Sequence, residues 1–180
     1  MKNTKLVASL AIACLMTLPA LAGVRKQKPN ALSPEAETSV TLGTSKITVE
    51  YSAPSARGRK VEGGLVPYDK VWRAGADSAT TLITDADITV GDLSLPKGMY
   101  TLYVAAGDGA WKLVVNKQTG QWGTIYKQDM DLGRTDLALK PLSAPVETYK
   151  MSLDKVDETS ATLTLTWGST AASVPVKLAH

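Results

Sequence analysis

Apolar residues alternate with polar ones over most of this chain, and that rhythm commits it to β-strands. A period of two puts successive apolar side chains on one face of a strand, which a helix with about 3.6 residues per turn cannot do. Val40 and Leu42 alternate, then Ile47, Val49 and Tyr51, with Gly43-Thr44-Ser45 as the turn between them. Ile88 and Val90 lead through Gly91-Asp92 to Leu93 and Leu95, the pattern of a tight hairpin. Pro96-Lys97-Gly98 turns into Tyr100, Leu102 and Val104, and Gly107-Asp108-Gly109 turns into Trp111, Leu113 and Val115. Leu137 and Leu139 alternate, as do Tyr149, Met151 and Leu153. Asp157-Glu158-Thr159-Ser160 turns into Leu163, Leu165 and Trp167, and a last run holds Val174, Val176 and Leu178. Threonine fills the alternate positions of several runs, as a β-branched residue does on a solvated sheet face.

Strands at this spacing predict an all-β fold, an antiparallel β-sandwich of jelly-roll type. No helical period is sustained. Pro175 places the last strand at an edge or a bulge, because proline has no N–H for a ladder. Trp111 and Trp167 fall on the inward side of their strands and are expected in the core. Residues 54–77 and 116–136 break the rhythm. Long loops on a rigid sheet are where function concentrates, so the two are predicted to meet in one site.

The N-terminus has a different character. Lys2 and Lys5 precede an apolar run from Leu6 to Leu18, Pro19 ends it, and Ala20-Leu21-Ala22 gives a small-x-small pattern. This is the layout of a secretory signal peptide at 1–22, cleaved after Ala22, and the run is too short for a membrane span. Cys14, the chain's one cysteine, lies inside the run and reads as a small hydrophobe rather than a lipid attachment site. Residues 23–32 form a polar leader, and 33–180 are expected to form one domain. The protein is therefore expected to be secreted or periplasmic, with no integral membrane segment after cleavage.

Removal of the signal leaves 158 of the 180 residues, enough for one core without staples. It takes two lysines and no acid, so the 20 basic and 17 acidic residues of the whole chain become a net +1. That balance offers nothing to nucleic acid or an anionic membrane. A chain without cysteine has no disulfide, no thiol catalysis and no thiolate metal site. The single histidine is His180, at the terminus, so zinc hydrolysis and the Ser-His-Asp and Cys-His mechanisms are closed. No phosphate loop or dinucleotide fingerprint occurs. Asp129-Met130-Asp131 matches half of a calcium loop but lacks the closing glutamate. No metal and no cofactor are expected.

The residues left to carry function are in the two loops. Arg57, Arg59 and Lys60 surround Gly58 and can offer planar donor forks to a carboxylate or phosphate, or pair with Glu62 on the surface. Trp72-Arg73 can stack on a ligand ring and bond its hydroxyls, or serve as a buried Trp with an Arg capping loop carbonyls. Asp77 closes that stretch. Trp122, between Gln121 and Gly123 with Asn116 upstream, is a sugar platform or a plug over the sandwich end.

The run Pro54-Ser55-Ala56-Arg57-Gly58-Arg59-Lys60, then Gly63-Gly64-Leu65-Val66-Pro67-Tyr68, Val71-Trp72-Arg73-Ala74-Gly75-Ala76 and Ala79-Thr80-Thr81 resembles the bacterial family called domain of unknown function 2911. Leu95-Pro96-Lys97-Gly98-Met99-Tyr100, Trp111, Asn116 and Gln121-Trp122-Gly123 continue the resemblance, which covers about 33–178. It implies an exported single-domain β protein and no particular activity. Asp77-Ser78 stands where the family is associated with an Asn-Glu pair, which weakens a carboxylate mechanism.

Three functions are therefore open. The first is non-catalytic binding of a polar ligand, a glycan or an anionic small molecule, through Arg57, Arg59, Lys60, Trp72, Arg73, Asp77, Asn116, Gln121 and Trp122. The second is a structural envelope domain that contacts other proteins. The third is a glycan hydrolase using Asp77 with Asp69 or Asp131. The oligomeric state is not legible.

Overall fold

Gly43 and Thr44 fold the first alternating run back on itself, and the hairpin that results begins the sheet. In the computed structural model, which describes residues 32–179, β1 (Glu35–Leu42) pairs with β2 (Ser45–Ser52) with Leu42 opposite Ser45. Two short strands follow, β3 (Val71–Trp72) and β4 (Thr81–Thr84). Then β5 (Ile88–Val90) and β6 (Leu93–Leu95) close the second expected hairpin around Gly91-Asp92, with Val90 opposite Leu93. β7 (Gly98–Ala106) and β8 (Trp111–Asn116) form a third. The signal, the leader as far as Ala31, and His180 lie outside the described residues.

The last third of the domain departs from the expected pattern. Four short runs were predicted there; the chain builds two long strands, β9 (Asp131–Lys155) and β10 (Ser160–Leu178). Between 140 and 148 the side chains of β9 are mostly exposed and include Pro141 and Pro145, so the alternation fades. The backbone stays extended all the same, because the fixed φ of proline fits an extended strand. Gly168 carries the matching irregularity in β10: its φ is +56°, and the register shifts on either side of it. A Cβ there would lie 2.7 Å from the Glu62 carboxylate, so glycine is required twice over. Pro175 sits where β10 passes from β9 (Ser173 opposite Ala138) to β5 (Val176 opposite Val90). Its carbonyl accepts the Gly91 N–H at 2.8 Å, and its missing donor falls at the handover.

Every strand pairing is antiparallel, and the strands join in one hydrogen-bonded path, β1-β2-β4-β7-β8-β9-β10-β5-β6, with β3 beside β7. The all-β expectation is what the chain builds. The sheet curls until β1 meets the end of β9, where the Leu153 N–H donates to Thr38 Oγ1 at 3.0 Å. One core fills the interior, with Leu42, Ile47, Val49, Leu102, Leu113, Met151, Leu163, Val174 and Val176 all buried. Trp111 and Trp167 belong to it, as their alternation predicted. Among the described residues no helix is long and apolar enough to cross a membrane.

Two irregular stretches remain, and they position the site. The first, 53–80, is interrupted only by the two residues of β3. The second is shorter than expected. β9 already begins at Asp131, so the loop runs over 117–130 and ends in one turn of 3₁₀ helix, Gln128–Met130.

Candidate functional site

The first loop starts by lying along β9. The Tyr149 N–H donates to the Pro54 carbonyl at 2.8 Å, and the Ala56 N–H donates to the Glu147 carbonyl at 2.9 Å. Arg57 then turns the chain at φ +50°, held by its own N–H to Glu147 Oε1 at 2.7 Å. Its guanidinium reaches the Leu32 carbonyl through Nη2 at 2.8 Å. Arg59 folds back on the same turn, giving Nε to the Ala56 carbonyl and Nη2 to the Ser55 carbonyl, each at 2.9 Å. Glu62, the acid with which this cluster could have paired, is committed elsewhere. Its Oε1 accepts the Ser169 N–H at 2.7 Å and the Thr170 hydroxyl at 3.0 Å.

Farther along, β3 presses Trp72 into an aromatic seam. Its ring stacks on Trp167 at 5.7 Å and meets Tyr149 edge-on at 5.2 Å. Tyr51 approaches the other side of Tyr149, also edge-on, at 5.7 Å. Such pairs add about 0.5–1.5 kcal/mol each beyond area burial. Arg73 leaves the strand next, half-buried, with one long contact from Nε to the Gly75 carbonyl at 3.4 Å. Ala74 and Asp77 both take left-handed backbone, φ +48° and +54°. With Arg57 they are the non-glycine residues of positive φ among those described, and all three lie in this loop. Holding them there costs about 1–3 kcal/mol each.

The two loops meet, as expected. Ser78 bridges Trp122, the Ala79 N–H donates to the Gln121 carbonyl at 3.2 Å, and the Gly123 N–H donates to the Asp77 carbonyl at 2.9 Å. Gly123 permits this approach. A Cβ on it would sit 2.8 Å from both Arg73 Cδ and the Asp77 carbonyl.

The first loop, with Leu32, Ser33 and Trp167, leaves a cavity of about 270 Å³ lined by Arg57, Arg59, Trp72, Arg73 and Asp77, and no residue of the second loop lines it. Five of the nine predicted ligand-binding residues are therefore gathered on one wall. Asp77 is the only acid of the lining, facing three guanidiniums. No ion pair among the described residues uses any of those arginines. Each guanidinium has five donors. Among the described residues Arg57 and Arg73 give one each and Arg59 gives two, all to backbone carbonyls.

The other four predicted residues lie elsewhere. Lys60 is exposed on the turn, and its carbonyl accepts the Leu65 N–H. Asn116 is buried at 1 % exposure and fully engaged: Nδ2 donates to the Lys127 carbonyl and to Asp131 Oδ1, and Oδ1 accepts the Gln118 N–H. Gln121 donates to Thr101 Oγ1 and to the Tyr103 hydroxyl, both at 3.1 Å. Trp122 is half exposed and does not line the cavity. Eight of the lining residues were not among the predicted nine, Trp167 and Leu65 with them. Trp167 is a core residue whose ring also reaches the cavity, and Leu65 stands in a stretch with no polar signal.

Of the possible hydrolytic acids, Asp131 is saturated. It accepts the Tyr126 hydroxyl at 2.7 Å, Asn116 Nδ2 at 2.8 Å and the Arg134 guanidinium at 3.2 Å. Asp69 is not part of the cavity lining. Tyr126 sits under the Asp131 carboxylate, and burial first, then that carboxylate, pushes its phenol up to about 12.

The family described as protein of unknown function (DUF2911) matches over residues 33–176, and the chain belongs to that family. No curated protein and no solved structure matches it.

Proposed function

We propose that this DUF2911 domain is an exported, non-catalytic binding module for a polar ligand bearing negative charge, either an anionic small molecule or an acidic glycan. One observation carries the reading. Arg57, Arg59 and Arg73 surround a cavity with no carboxylate partner among the described residues, over an aromatic floor. Unpaired guanidiniums at a concave wall favour an oxyanion, which takes the planar forks two bonds at a time. Hydrogen bonds to charged groups contribute about 1.5–3 kcal/mol each. The strained backbone around the same cavity supports the reading, since strain is retained where the surroundings fix it for a purpose.

A hydrolase draws less support, because two facing carboxylates are needed and Asp77 is the only acid lining the cavity. A purely structural role rests on the backbone carbonyls that Arg57 and Arg59 cap. Thermal-shift measurements with uronic acids, phosphate, carboxylates and neutral sugars separate these readings. A ligand at about 100 times its Kd adds about 2.7 kcal/mol, a rise of roughly 5–10 °C for a domain of this size. The expected result is a rise with uronates or other anions that is lost in Arg73→Ala. No rise with any of them overturns the reading in favour of the structural one.

A further inference from the structure

Beside the arginine cavity lies a second hollow of about 320 Å³ that includes Lys70, Gly123, Thr124 and Tyr126 in its lining. Leu65, Trp72 and Arg73 line both spaces, so they form a ridge with a hollow on either flank. Each space alone stands at the floor of the range for small-molecule sites, roughly 300–1,000 Å³; occupied together they fall well inside it.

The two flanks repeat one chemistry. On the first, Arg57 and Arg59 line the cavity together with the paired rings of Trp72 and Trp167. On the second, exposed Lys70 lines the hollow together with Tyr126, whose ring meets Tyr103 edge-on at 5.0 Å. That ring is held in place by its hydroxyl, which donates to Asp131 and accepts from Arg134 at 2.8 Å. Lys70 enters no ion pair among the described residues. Between the flanks, Arg73 gives a single side-chain hydrogen bond among the described residues, to the Gly75 carbonyl at 3.4 Å.

We propose that this second hollow is a binding subsite, and that the ligand is an oligomer of an acidic sugar that crosses the Arg73 ridge with one charged unit on each side. A cation beside an aromatic face suits a sugar ring that carries a carboxylate, since the ring's C–H face covers the aromatic and its carboxylate meets the cation. Two such places in a row suit two consecutive units. A bare polyphosphate would leave the Trp72 and Tyr126 faces uncovered. This inference rests on the anion-binding reading of the first cavity.

The test is calorimetric titration of the purified protein with galacturonate, di-, tri- and tetragalacturonate, and separately with tripolyphosphate. The expected result is at least a tenfold tighter Kd for the trimer than for the monomer, with no trimer binding in Arg73→Ala. In Lys70→Ala, at an exposed position where folding is not at risk, the ratio of trimer to monomer affinity should fall several-fold. Equal Kd values for monomer and trimer, unmoved by Lys70→Ala, would overturn the second subsite and leave the first cavity's role intact. Tripolyphosphate binding with no uronate binding would overturn the sugar class. Failure of every anion would remove the underlying reading as well.

Discussion

Arg73 and Arg134 stand in the two regions that meet at the site, and the protein uses the same side chain in opposite ways. Around Arg134 everything closes on itself. Asp131 takes the guanidinium, the Tyr126 hydroxyl joins both, and Asn116 ties the same carboxylate to the loop carbonyl of Lys127. Around Arg73 the circuit is open. Its neighbours are backbone carbonyls, other arginines and a cavity, and no acid pairs with it among the described residues. A closed polar network specifies a loop conformation; an open one keeps its donors for something that arrives later. Composition alone does not separate the two, since both regions are rich in Gly, Asp, Arg and aromatic residues.

The comparison breaks most visibly at Asn116. Asn116→Ala takes the donor from Asp131 Oδ1 and the acceptor from the Gln118 N–H beside a buried position, a loss of about 3 kcal/mol, or roughly 6–12 °C in Tm for a domain of this size. Arg73→Ala should leave Tm within about 3 °C, because one long hydrogen bond contributes at most about 1 kcal/mol. It should instead remove the anion-dependent rise in melting temperature. A fall as large as that of Asn116→Ala would place Arg73 in the scaffold with Arg134.

The Tyr149 hydroxyl sharpens the contrast from beneath the cavity. It is buried without a hydrogen-bond partner among the described residues, and desolvation raises its pKa well above the usual value. Tyr149→Phe removes an unpaired polar group and should raise stability by about 1 kcal/mol, read by chemical denaturation. A loss of stability would mean that the hydroxyl has a partner. The smallest effect concerns Tyr126. Its folded pKa is raised from 10.0 to about 12, so the folded state holds a proton that the unfolded state releases first. That contribution is complete below pH 10 and is lost as pH rises from about 10 to about 12. Tyr126→Phe should flatten the fall of Tm across that window; an unchanged slope would detach Tyr126 from the network.

The hairpins were legible because Gly43 and Gly91 interrupt clean alternation. β4 was not, since Thr81, Leu82 and Thr84 are all buried and a strand covered on both faces shows no period of two. The unity of β9 was hidden by Pro141 and Pro145, which break the pattern of side chains without breaking the extended backbone, and that of β10 by Gly168, where the strand carries a local irregularity at positive φ. In the site, the five cavity residues from Arg57 to Asp77 lie in one segment that breaks the strand rhythm, although Lys60 of the same segment does not line the cavity. Asn116 and Gln121 are polar as well, but their amides are spent on Lys127, Asp131, Thr101 and Tyr103, partners that no local pattern reveals.

The junction of β1 with β9 also sets an order of events. Tyr51 and Met151, hydrogen-bonded through the phenol, are 100 positions apart, and Thr38 and Leu153 are 115 apart. Pairing at such separation raises the entropy of closure and slows folding. The first hairpin to leave the ribosome must therefore wait for almost the whole chain before its open edge is covered. Until β9 and β10 emerge there is no closed core, because both strands supply buried residues to it.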